Sequence, residues 1–192
     1  MNLNIPYLET DNKLLNDAYR IAAGDIVGNI VYYQNGLLTE EKPCMIAGLD
    51  YNTPWTRDTA INIWNALSIL SPEVSKNTLL AVLEEEEGNI YIGGQYWDSI
   101  IWMIGAREYC RFHKDDNFYR LAFEAGRNSV HRLEEDEFDE EDGLFRGPAV
   151  YGDGIAAYPD KYSKCPNQGS GILEWVDYPG NPVYPKGYGI PM

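Results

Sequence analysis

Two stretches of this chain repeat one design, and the repeat limits the folds open to it. In the first, Tyr51-Asn52-Thr53-Pro54-Trp55-Thr56-Arg57-Asp58-Thr59-Ala60 runs straight into Ile61-Asn62-Ile63-Trp64-Asn65-Ala66-Leu67. The first half reads as a turn, and the second repeats apolar residues at helical spacing, so Arg57 and Asp58 fall at or near a helix N-terminus. In the second, Gln95-Tyr96-Trp97-Asp98-Ser99 opens the apolar run Ile100-Ile101-Trp102-Met103-Ile104-Gly105-Ala106. Each carries Trp, then Asp, then a hydroxyl residue, then a helix with a further Trp. With one intervening helix, this is the pattern of a helical-hairpin repeat in which alternate helices bring their polar N-termini to one end.

The residue types at those N-termini suit recognition of a sugar ring. An Arg fork donates to hydroxyls, a carboxylate accepts from a vicinal pair, and an indole packs on the apolar ring face. The same residues also fit a plainer role, with Asp58 capping a helix and Trp55 filling core. The single stretch does not separate the two; the second copy favours the first.

Composition removes several classes. Thirty acidic against 15 basic residues give a net charge of -15, and no basic patch stands out, so nucleic acid is not an expected partner. No apolar run reaches the length of a membrane-crossing helix, and the N-terminus lacks the regions of a signal peptide. Cys44, Cys110 and Cys165 lie far apart with no paired spacing, which argues against a disulfide framework or zinc site and points to a reducing, cytoplasmic compartment. No phosphate loop, cofactor box or Ser/His/Asp set is visible, so neither cofactor nor metal is expected. His113 and His131 read as surface residues.

Hydropathy periodicity predicts an all-α chain of about five helices, at roughly 11–33, 54–70, 72–87, 98–112 and 116–133. Residues 36–53 read as loop or short strands. Ser71-Pro72-Glu73 is a clean helix start, with Pro at the first helical position. Asn89 to Gln95 is short and glycine-rich enough for a strand pair. Glu134 to Asp142 is an acidic run without EF-hand spacing, read as a solvated loop. From Gly143 to Met192 the chain is rich in Gly, Pro and Tyr, which predicts a long irregular tail within one domain spanning 1–192.

Trp55-Thr56-Arg57-Asp58-Thr59-Ala60 resembles the W-x-R-D-[ST]-A segment of glucoamylase-like glycosidases. Tyr96-Trp97-Asp98-Ser99 is similar to the Y-x-W-D-S signature of trehalases and processing α-glucosidases. Gly143-Leu144-Phe145-Arg146-Gly147-Pro148, followed by Tyr151-Gly152-Asp153-Gly154, looks like the loop after the fifth helix where this superfamily places its catalytic acid. The superfamily is the six-hairpin glycosidases, whose fold is an (α/α)6 toroid. The resemblance covers roughly residues 11 to 192, and the order of the motifs carries it more than any one of them. It implies an incomplete barrel, because twelve helices need very roughly twice this chain. The expectation is therefore an N-terminal fragment lacking the general base, inactive alone. The apolar stripes of the first helix (Leu14, Leu15, Ile21, Ile26, Ile30) and the fifth (Phe118, Leu121, Phe123) would then be partly uncovered and prone to self-association.

The implied chemistry is exo-acting, inverting hydrolysis of an oligosaccharide, which needs a protonated carboxyl by the leaving oxygen and a carboxylate across from it. Asp153, between Gly152 and Gly154 and near Tyr151, Ile155 and Tyr158, is the candidate acid, although an ordinary Asp-Gly turn reads almost as well. Glu174 beside Trp175 is the second candidate. Trp55, Arg57, Asp58, Tyr96, Trp97 and Asp98 are the candidate sugar-binding residues. The alternatives are a non-catalytic carbohydrate-binding protein or relic, or another α/α-toroid enzyme such as an epimerase or phosphorylase.

Overall fold

The computed structural model describes residues 5–48, 51–94, 98–141 and 143–145. The chain divides into two compact units, Met1–Val130 and His131–Met192, taken in turn below.

In the first unit, α1 (Lys13–Gly28) starts at Asn12, whose side chain accepts from the N–H groups of Leu14 and Leu15 at 3.0 and 3.3 Å. It stops five residues short of the expected end. Gly28 is a poor helix residue, and the β-branched and aromatic run after Asn29 instead forms β1 (Ile30–Tyr33), antiparallel to β2 (Lys42–Met45), with Ile30 opposite Met45 and Tyr33 opposite Lys42. At the hairpin's start Gly36 (φ +59) lies so close to the end of the next long helix that a Cβ would meet the carbonyls of Leu80, Ala81 and Leu83 at 2.6–2.8 Å.

A continuous helical rod covers 56–70. It consists of α2 (Thr56–Asn62), a π-helical turn (Ile63–Leu67) and α3 (Ser68–Leu70). Ser71 caps the following α4 (Pro72–Ala81), with Pro72 in the first turn as expected. That helix was expected to reach Glu87. It ends at Ala81, and Leu83–Glu86 is β3, paired antiparallel with β4 (Asn89–Ile92). The positive φ values of Glu87 (+52) and Gly88 (+80) make the two-residue turn that matches strand twist. Glutamates favour helix locally, but Leu83 and Ile92 both reach the core only from a hairpin.

The helices α5 (Asp98–His113) and α6 (Asp116–Glu137) complete the core. Ile63, Leu67, Val74, Leu79, Leu83, Trp102, Tyr109 and Phe118 form one buried cluster. Trp102 donates to the Leu79 carbonyl at 3.3 Å, and its ring lies 6.3 Å from Phe118. The 56–70 rod and α5 run parallel: Arg57 meets Asp98 near their starts, Ala60 meets Gly105 midway, and the Ser68 carbonyl meets His113 near their ends. At the midpoint a Cβ on Gly105 would stand 2.8 Å from the Ala60 Cα, so the axes are close.

Of the two stripes, Ile26 and Ile30 of the first, and Phe118 and Leu121 of the second, pack on the core, while Leu14, Leu15, Ile21 and Phe123 are exposed. In the second unit, residues 134–137 continue α6 rather than forming a loop. β5 (Phe138–Asp139) pairs with β6 (Leu144–Phe145), their Phe138 and Phe145 rings 5.1 Å apart. The chain is thus helix-rich, but not all-α: three two-stranded antiparallel sheets are present among the described residues.

Candidate functional site

The parallel arrangement of the two helices puts their N-termini side by side, and the repeated motif meets itself there. Thr56, the first residue of α2, is buried and donates its hydroxyl to the Gly93 carbonyl at 2.8 Å, tying α2 to the loop before α5. At the next residue, Arg57 Nη1 donates to Asp98 Oδ1 at 2.6 Å. The Asp98 side chain is 1 % exposed and that of Arg57 19 %. Burial of this kind is tolerable only because the charges are paired, and Asp98 also sits in the first turn of α5, where the helix dipole favours an anion. Among the described residues the guanidinium of Arg57 makes no other hydrogen bond, and it stands 5.7 Å from the Trp55 ring centroid. Tyr51 meets Trp55 edge-on at 6.4 Å.

Asp58 follows in the first turn of α2 and is half-buried. Loss of solvent raises its carboxyl above the usual range, against the opposing effects of its own backbone N–H and of Arg57.

The close approach of the loop to Asp98 depends on Gly94. Gly94 has φ +115, and a Cβ there would stand 2.8 Å from the Asp98 Cβ and 2.9 Å from its Cγ. A Cβ on Gly93 would meet the Glu84 carboxylate at 2.5 Å and the Val82 carbonyl at 2.9 Å. These glycines, with Thr56 and Glu84, were not singled out from sequence. The signal was present as the Gly93-Gly94 doublet just ahead of the second motif, but which side chains close over it is a tertiary matter.

Of the sequence-predicted site residues, Trp55, Arg57 and Asp98 are brought together, with Asp58 adjoining them. Tyr96, Trp97, Asp153 and Glu174 lie outside the described residues. His113 is not a plain surface residue: its Nε2 donates to the Ser68 carbonyl at 2.5 Å and its ring lies 5.0 Å from Tyr109. It thereby satisfies a carbonyl at the end of the neighbouring rod. His131 is exposed and pairs with Glu134 at 3.1 Å. The thiol of Cys44 is buried and pushed up to about 12 by desolvation, which leaves it inert as a nucleophile.

Chemically, the cluster offers directed hydrogen-bond donors, an aromatic face and one half-buried carboxyl. Asp98 is engaged by Arg57 in an ion pair. Among the described residues no set of three or more His, Cys, Asp or Glu is arranged to hold a metal ion, and no helix is long and apolar enough to cross a membrane. Set against known proteins, the chain matches no family model, no curated protein and no solved structure.

Proposed function

We propose that the end of the molecule carrying Arg57 and Asp98 binds a sugar, and that the chain is the N-terminal part of a six-hairpin, (α/α)6-type glycosidase. The observation that supports this most is the Arg57–Asp98 pair at the common N-terminal end of two parallel helices, with the Trp55 indole beside the guanidinium. Parallel neighbouring helices joined through an intervening helix are what a ring of helical hairpins requires of its repeats. In this reading the ion pair fixes the guanidinium, whose unused N–H groups donate to ring hydroxyls while Trp55 packs against the ring. Asp58 accepts from a hydroxyl. Asp153 is the proposed general acid, with Glu174 as the second choice, for an inverting cleavage at a chain end.

A second reading is sugar binding without catalysis, which needs only the Trp55, Arg57 and Asp98 cluster and neither Asp153 nor a general base.

Titration of Trp fluorescence with trehalose and maltose tests binding. Saturable quenching is expected in the wild type and should be lost in Arg57→Lys, which keeps the charge but not the fork. No saturable response to either sugar would sink the proposal. Hydrolysis of an aryl α-glucoside by the 192-residue chain, abolished in Asp153→Asn, would select catalysis and place the general base within these residues; binding without turnover agrees with the fragment and with the second reading alike.

A further inference from the structure

The charges at the shared helix start do not cancel. Arg57 and Asp98 neutralise each other, Nη1 donating to Oδ1 at 2.6 Å, and Asp58, the next residue along α2, is left over. It is half-buried, and among the described residues its carboxylate has no side-chain hydrogen bond and no ion pair. A helix start favours an anion, but that attraction does not require burial. Glu73 and Asp116 hold first-turn positions in α4 and α6 from solvent, and Asp98 is buried with its partner. Of these four acids, Asp58 alone is both withdrawn from solvent and unpaired.

What it lacks is a cation. Loss of solvent is the largest influence on its carboxyl, greater than the opposing effects of its own backbone N–H and of Arg57. A hydroxyl donor offsets little of that loss, whereas an ammonium group forms a charge-assisted bond of roughly twice the strength. The surroundings suit the same guest. Trp55 and Tyr51 meet edge-on at 6.4 Å, and the Trp55 indole already stands 5.7 Å from the Arg57 guanidinium. Aromatic faces attract cations. Arg57, Asp58 and Asp98 set one cation against two carboxylates, and the chain as a whole carries -15, so an anionic ligand is opposed both close by and at a distance.

We infer that the ligand of this site carries a protonated amine, an amino sugar in preference to a neutral or acidic one, with Asp58 accepting from the ammonium group. This rests on the sugar-binding reading above and narrows it: the hydroxyl assigned to Asp58 there becomes an ammonium at the same place on the ring. Arg57, fixed by Asp98, still donates to the remaining hydroxyls, and Trp55 still packs on the ring.

The test is calorimetric titration of the full 192-residue chain at about pH 6, where a sugar amine carries its proton. Methyl α-glucosaminide should bind about tenfold tighter than methyl α-glucoside or the N-acetylated glucosaminide, the ratio expected of one charge-assisted hydrogen bond over a neutral one. That ratio should fall toward one in Asp58→Asn, persist in Asp58→Glu, and shrink as salt is added. Removing a half-buried charge does not endanger the fold, so unfolding does not stand in for the loss. Equal binding of the amine and the glucoside, or a preference that survives Asp58→Asn, overturns the inference and leaves sugar binding standing. Cyclohexylamine, a cation without hydroxyls, separates the two ideas. Its binding, lost in Asp58→Asn, with no response to any glycoside upholds the cation subsite and removes the sugar; binding of none of these ligands overturns both.

Discussion

At the scale of single residues, Arg57 and Asp98 are worth more to each other than either is alone. Removing the cation leaves a buried carboxylate, which costs about 3–5 kcal/mol in buried pairs and should fall at the low end here because Arg57 keeps some solvent contact. Arg57→Met is therefore expected to lower stability by about 3 kcal/mol. The double variant with Asp98→Asn should lose clearly less than the sum of the two singles, because the buried charge is gone. Additive losses in denaturant melts would mean that the ion pair carries no coupling. Asp58 has the opposite character. A carboxyl whose pKa is raised on folding favours the folded state at low pH, and that advantage is lost as pH rises through the raised value. Once ionised, the half-buried group opposes folding. Asp58→Asn should thus raise the melting temperature at pH 7, with the gain shrinking as pH falls toward 3.8, the ordinary value for aspartate. A gain equal at both ends of that range would mean that burial of charge is not its cause. A residue that destabilises its own fold at neutral pH is commonly kept for what it binds.

At the scale of elements, the site's geometry rests on how closely the rod and α5 approach. Gly105 permits it, since a methyl there would stand 2.8 Å from the Ala60 Cα and 3.0 Å from its carbonyl oxygen. Backbone atoms cannot move aside as a flexible side chain can. Gly105→Val is expected to cost about 1–3 kcal/mol by overpacking, and to weaken sugar binding as well by spreading the two N-termini. A variant that melts earlier but binds sugar as before would show that the spacing is set by Thr56 and the Gly93 loop instead. The hairpin of β3 and β4 matters for the same reason, because it delivers Gly93 and Gly94 to the helix ends. Its existence was hidden by local preference. Glu84 to Glu87 read as the end of a helix until Leu83 and Ile92 are seen to face one another across the turn.

At the scale of the whole molecule, acidity is distributed with a purpose that sequence totals conceal. The outer faces of the rod and of α5 are free of exposed carboxylates, whereas Glu84 to Glu87 and residues 134–136 are exposed. The two units differ as well: the first holds the core to which the π turn, α4, α5, α6, β2, β3 and β4 contribute buried residues, while the described part of the second is the end of α6 and one short hairpin.

The number, order and approximate placement of the long helices were legible from periodicity and from the Ser71-Pro72 start, because apolar spacing and caps are local properties. The candidate site was half legible. The paired Trp-x-x-Asp and Trp-Asp motifs marked Arg57, Asp58 and Asp98 as helix-start residues, since a side chain at a helix N-terminus is placed by its own few neighbours. Only the tertiary structure decided that Arg57 and Asp98, 41 positions apart, form one ion pair, that Gly94 must lack a side chain beneath it, and that α1 and α4 give way to strands. Those outcomes depend on which surfaces meet. A glycine's closeness to a backbone, or an isoleucine's place opposite another, is set by packing between distant segments, where local helix preference of a few tenths of a kcal/mol is outweighed by burial of whole side chains.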